Sequence, residues 1–134
     1  MWGLLLALLL LVIMLWLFSG GSQSIGMTDT LVQVKKDLSR ILKSLQIREP
    51  NYQLEEGTTS YFTESRFGGK KIVLYTNSDY NSILFAACHE MTHLLSDEVG
   101  HGDKFLKLER KLHDKAKALG LLSSKQISGE YPCQ

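Results

Sequence analysis

The stretch Ser82-Ile-Leu-Phe-Ala-Ala-Cys-His-Glu-Met-Thr-His-Leu-Leu95 decides how this chain reads. Apolar residues stand at nearly every position, too many for a surface helix with one wet face. A helix from Ser82 to about Ser96 is therefore buried within its fold, with Asn81 or Ser82 as its cap. Its polar members, His89, Glu90 and His93, then need partners, because a polar group withdrawn from water without one is destabilising. The three fit the pattern H-E-x-x-H. Histidines four apart on a helix point the same way, so their imidazoles can share one Zn²⁺. Glu90 projects beside them, within reach of a water at that ion. Chance gives the pattern in roughly a few chains per thousand of this length. Its place on an apolar helix makes an accident rarer still.

A hydrolytic zinc site takes a third protein ligand and keeps one position open. Downstream stand Asp97, Glu98, His101, Asp103, Glu109 and His113. Asp97 and Glu98 follow the helix too closely to turn back onto its own face. His101 lies between Gly100 and Gly102, where glycine lets the backbone turn sharply and return an imidazole to the metal. It is the first choice. Glu109, on a separate helix, stays conceivable, since some zinc peptidases take a glutamate as third ligand. His113 falls outside the apolar stripe of its helix and is expected in solvent. The metzincin pattern H-E-x-x-H-x-x-G-x-x-H does not fit: Ser96 takes the glycine position, the next histidine comes two residues later, and no methionine follows Met91.

Working outward, Leu31, Val34, Leu38, Ile41, Leu42 and Leu45 recur at helical spacing with charges between them. They predict an amphipathic helix over residues 30–46, capped by Thr28 or Asp29. Pro50 forbids its continuation. Aromatic and β-branched residues then mark strands at 52–54, 58–63 and 71–76, separated by Gly57 and by Gly68-Gly69. Together they predict a small, mainly antiparallel sheet. Beyond the buried helix, Phe105, Leu108, Leu112, Ala116 and Leu119 form the inner stripe of a last helix, capped by Asp103 and ended by Gly120.

No charged residue precedes Asp29, and every residue from Trp2 to Phe18 except Gly3 is apolar. As a helix this run is roughly 26 Å long, close to a bilayer core. Trp2 and Trp16 stand near its ends, as interfacial rings do. It reads as a single-pass transmembrane anchor rather than a cleaved signal, which favours a positive n-region and a shorter apolar stretch. Lys35, Lys36, Arg40 and Lys43 follow it, so the positive-inside rule leans towards a cytoplasmic catalytic domain. The resulting organisation is an anchor over 1–19, a flexible tether over 20–27, one domain over 28–122 and a tail over 123–134.

Fifteen basic residues against fourteen acidic ones, a net charge of +1, argue against direct binding of nucleic acid. Two cysteines, Cys88 and Cys133, exclude a disulfide-rich scaffold and a four-cysteine zinc module. Cys88 points about 100° away from the neighbouring His89 and reads as a buried free thiol.

The stretch 82–95, followed by Gly100-His-Gly-Asp-Lys-Phe105, resembles the WLM and SprT-like group of small zinc metallopeptidases. In that group an apolar H-E-x-x-H helix is followed by a short loop with a third histidine. A phenylalanine four residues later begins the next helix. His89, Glu90, His93, His101 and Phe105 all match, and Lys70-Lys-Ile-Val-Leu74 resembles the strand that precedes the active-site helix. The resemblance implies an α+β, zincin-like domain with one zinc held by His89, His93 and His101. The chain departs from the group's better-known members in having too few cysteines for their zinc ribbon. It also lacks the basic excess expected of proteins acting on DNA-bound substrates.

The expected function is that of a membrane-anchored zinc metalloendopeptidase, in which Glu90 is the general base for a zinc-bound water and the substrate is a protein or peptide. The competing readings are a zinc-stabilised but inactive interaction module and a secreted peptidase with a cleaved signal. Residues 58–63 are the strand expected to pair with an extended substrate.

Overall fold

The computed structural model describes residues 2–19, 28–97 and 100–123. Residues 20–27, expected as a flexible tether, residues 98–99, and residues 124–134 of the expected tail, Cys133 among them, lie outside the described residues. The described residues form four helices and one three-stranded sheet, an α+β arrangement.

Helix α1 runs Trp2–Ser19, 18 residues in all. At 1.5 Å per residue it is about 27 Å long, short of the roughly 30 Å of a hydrocarbon core. No helix among the described residues is long and apolar enough to cross a membrane. The expected transmembrane helix is therefore withdrawn, and the single-pass localisation and its orientation go with it. The apolar run, its length and its terminal tryptophans all suggest a span, but the helix falls a few ångströms short of the core it would have to cross.

Helix α2, Asp29–Ser44, starts one residue before its predicted limit and ends two short of it. Thr28 is its cap, with its hydroxyl accepting the Leu31 amide at 3.5 Å. Leu31, Val34, Leu38, Ile41 and Leu42 are fully buried, as the 3.6-residue period required. The buried face also carries Asp37, which accepts hydrogen bonds from Gln33 Nε2 and from the Tyr80 hydroxyl. The bond from Tyr80 ties α2 to the start of the histidine-bearing helix.

The strands are β1, Gln53–Glu56; β2, Tyr61–Glu64; and β3, Lys70–Leu74. Their order is β1-β3-β2, with β2 antiparallel to β3 and β1 parallel to it. The sheet is thus mixed, not mainly antiparallel. The register sets Leu54 and Phe62 on either side of Ile72, and this row faces the core. Val73 points to the other face yet is only 4% exposed. The backbone at Gly57 passes directly over it: a Cβ there would stand 2.4 Å from Val73 Cγ1. Residues 58–60, predicted as strand, form the connection instead, and the Ser60 hydroxyl accepts the Tyr75 amide at 2.9 Å.

Helix α3, Tyr80–Ser96, begins two residues before its predicted start because Asp79, not Asn81 or Ser82, is its cap. Asp79 accepts the Ser82 amide at 3.0 Å and the Ser82 hydroxyl at 2.7 Å. Asn81 is used otherwise: its side-chain oxygen accepts the Ser123 amide at 2.8 Å. Helix α4, Asp103–Ala118, has Gly102 as its cap residue, with no side-chain capping bond. Asp103 instead supplies a negative charge to the first turn, favourable to the helix dipole. Gly120, with φ of +74°, closes the helix as expected of a left-handed glycine. Helix α3 is the central element, packed against α2, α4, β2 and β3.

Candidate metal centre

Helix α3 is buried on nearly every side, and it carries its polar residues inward with the rest. His89 is 8% exposed, His93 4% and Glu90 1%. The helical repeat places the two histidines one turn apart on one face, with ring centroids 4.9 Å apart.

The chain then reverses at Asp97, whose φ of 55° is left-handed. Asp97 ends α3 and reaches Lys70 on β3 at 3.7 Å. Asparagine and aspartate tolerate this backbone region better than most residues. Neither Gly100 nor Gly102 uses a positive φ; Asp97 does.

The reversal brings His101 back to α3. Its Nε2 lies 3.2 Å from Nε2 of His93, and its ring centroid lies 5.1 Å from that of His89. One ligand atom from each of the three histidines falls within 4.8 Å of the others. Three imidazoles converging in this way can hold a metal ion. His89 and His93 are buried and His101 is exposed, so the cluster opens outward on the side of the loop.

Behind the cluster lies Phe105, fully buried in the first turn of α4. Its ring centroid is 5.2 Å from His89, 4.4 Å from His93 and 4.8 Å from His101. One phenyl ring thus backs all three imidazoles and keeps water from that side.

Glu90 has a buried Oε1 with no hydrogen-bond partner among the described residues. Burial pushes its carboxyl above the ordinary value; the charge of His89 opposes the shift and Glu109 adds to it. An orphaned carboxylate oxygen this deep is uncommon, because the unmade bond is costly. It is the feature expected when the group's partner is a solvent or substrate atom.

Glu109 does not join the convergent set. Its Oε2 accepts the Nδ1 hydrogen of His89, so of the two candidates for third ligand it is His101 that the fold brings to the other histidines. Burial raises the Glu109 carboxyl, but the bond to His89 and the attraction of His89, His113 and His101 outweigh it and hold it low. The position of Glu109 was legible on the inner side of α4, one turn beyond Phe105. Its partner was not, since that depends on how two helices pack.

His113 is not in solvent, as its sequence position had implied, but 8% exposed. It stacks on Phe85 with centroids 4.1 Å apart and planes 12° from parallel, and its Nε2 donates to the Phe85 carbonyl at 3.4 Å. Burial pushes its pKa down, against the pull of Glu109 and that carbonyl. Asp97 and Asp103 turn outward and take no part. Cys88 is fully buried, away from the histidines in the core.

No known family profile matches the sequence. Over 94 residues the chain is 34% identical to the "Uncharacterized protein 136R" of Invertebrate iridescent virus 6, a match covering 65% of this chain. The match takes in 53% of the viral protein, so the chain spans about half the length of this curated relative. Among solved structures, the fold is similar to the metallopeptidase zymogen of Pyrococcus abyssi abylysin. The TM-score is 0.45 and the identity 18%, over 64% of this chain and 90% of that one.

Proposed function

We propose that the chain is a zinc-dependent metalloendopeptidase of the WLM and SprT-like kind, with residues 28–122 as its catalytic unit. The observation that carries this reading is the meeting of three imidazoles beside an unpartnered, buried carboxylate oxygen. The donor set fits zinc: three neutral nitrogen ligands leave one position open, as in catalytic rather than structural zinc sites. His89, His93 and His101 would hold the ion, which when bound supplies Lewis acidity towards a carbonyl oxygen and acidifies water.

The remaining work falls to side chains of this chain. Glu90 takes the proton from the attacking water at its carboxylate and passes it to the leaving amine nitrogen. In the metal-free chain burial raises the proton affinity of this carboxyl, a direction that favours holding the proton between the two transfers. Phe105 shields the imidazoles from behind. Strand β2 is an edge strand beside α3, and an extended peptide can add to its outer edge by main-chain hydrogen bonds.

The test is paired and uses the full chain: bound zinc per molecule, and cleavage of an unstructured protein, for wild type and Glu90→Gln. About one zinc in both, with cleavage lowered by at least ~100-fold in the variant, is the expected result. Equal cleavage in both removes Glu90 from the chemistry. Zinc without cleavage in the wild type leaves the inactive, zinc-stabilised module as the better reading.

A further inference from the structure

We infer that Glu109 is the positioning residue of the site: its carboxylate fixes His89 in the tautomer and orientation that present Nε2 to the metal. The inference rests on the proposed metal reading and adds a residue to it. The imidazole of a ligating histidine has two nitrogens, and the one left to bind a metal is set by the bond the other makes. Here Nδ1 donates to Glu109 Oε2, which leaves Nε2 as the nitrogen with the lone pair.

The carboxylate is held rigidly enough to do this. One turn before it, Phe105 is fully buried against the three histidines. Three residues beyond it, Leu112 is fully buried, and one turn beyond it His113 is stacked on Phe85 of α3. Glu109 therefore stands on a length of α4 pinned to α3 at both ends. Its side chain is 19% exposed and that of His89 10%, so water competes poorly for the bond. A negatively charged carboxylate accepting the Nδ1 hydrogen also makes the imidazole a stronger donor towards a cation.

The experiment measures zinc affinity of the full chain by competition with a chromogenic chelator, for wild type, Glu109→Ala, Glu109→Gln and His101→Ala. The imidazole ¹⁵N shifts of the zinc-free proteins report the His89 tautomer. Glu109→Ala should weaken zinc roughly 10- to 100-fold and let His89 populate both tautomers. Glu109→Gln, which keeps an acceptor oxygen but no charge, should restore the Nδ1–H tautomer and recover part of the affinity. Helical circular dichroism equal to wild type is required of each variant, and the near-isosteric glutamine secures the comparison if alanine unfolds. Affinity within twofold of wild type in both Glu109 variants overturns the inference, as does an unchanged tautomer in Glu109→Ala. A loss in Glu109→Gln as large as that in His101→Ala makes Glu109 a ligand and also overturns it. A wild-type chain that binds no zinc brings down the metal reading itself, a result the other outcomes cannot imitate.

Discussion

Cys88 adjoins the first candidate ligand, yet the helix turns it about 100° away into the core, where it is fully buried. Burial, with smaller contributions from Glu109 and Asp37, pushes its thiol up to about 12. Only the thiolate is nucleophilic, so at pH 8 the folded protein holds this sulfur inert. In a Cys133→Ser chain, a disulfide reagent should label Cys88 at least ~100-fold more slowly than a free thiol, at a rate set by unfolding. Fast labelling of the native protein would show that the helix opens on this side. The same shift has a consequence for stability. The unfolded thiol ionises near 9 and the folded one near 12, so between those values the unfolded chain binds fewer protons. Stability contributed by the protonated thiol is therefore complete below about pH 9 and is lost as pH rises, by at most about 1.4 kcal/mol per unit. Urea titrations from pH 8 to 11 should show a shallower fall in Cys88→Ala than in wild type. An identical fall would mean that Tyr52 and Tyr80, whose phenols burial also raises, dominate the alkaline limb.

At the scale of elements, the sheet is held by a contact that no strand pattern announces. Gly57 carries the chain from β1 towards β2 across the outer face of Val73, and its amide donates to the Leu74 carbonyl at 2.9 Å. A methyl group there meets Val73 Cγ1 at 2.4 Å, and valine, branched at Cβ, has little freedom to yield. Gly57→Ala should cost about 1–3 kcal/mol in chemical denaturation. Gly100→Ala is the contrasting case. Among the described residues no atom beyond its chain neighbours lies within 4 Å of the added carbon, and the backbone is not left-handed, so stability and zinc affinity should both stay near wild type. A large loss at Gly100 would show that the turn to His101 needs a glycine there. The elements themselves were legible because helical and strand periods are local: α2, α3 and α4 lie within two residues of where their apolar spacing puts them at either end. The start of α3 was displaced because Ser78, Asp79, Asn81 and Ser82 are all competent caps, and only the packed structure assigns Asn81 to Ser123. The parallel pairing of β1 with β3 was not legible at all. Which strand takes the centre depends on the path between strands, and alternation of side chains is the same for either direction.

For the whole molecule, the candidate site was readable where it is local and opaque where it joins distant segments. His89, Glu90 and His93 follow from one helical turn. His101 and Phe105 add a loop and a helix start, whereas the bond from Glu109 and the burial of His113 exist only once α4 lies on α3. That joining also predicts how the metal acts on the fold. A site assembled from α3 and from the segment leading into α4 has no counterpart in the unfolded chain, so any ion it binds stabilises the folded state. At free zinc 100-fold above its dissociation constant the gain is about 2.7 kcal/mol, or roughly 10–20 °C in Tm for a domain of this size. Before zinc is added, Glu90 weakens the fold, because burial disfavours its charged form. Glu90→Gln removes the charge while keeping the shape. The zinc-free variant should therefore melt above zinc-free wild type, and zinc should raise its Tm by a comparable step. His101→Ala should lose most of that step, since two histidines on one helix bind the ion without tying α4 to it. Differential scanning calorimetry of the three chains, with and without zinc, reads all of this at once. If zinc leaves the wild-type Tm unchanged, the three imidazoles are a packed cluster and not a metal centre. If zinc raises Tm equally in His101→Ala, the third ligand lies elsewhere, and the loop at His101 serves only to cover the site.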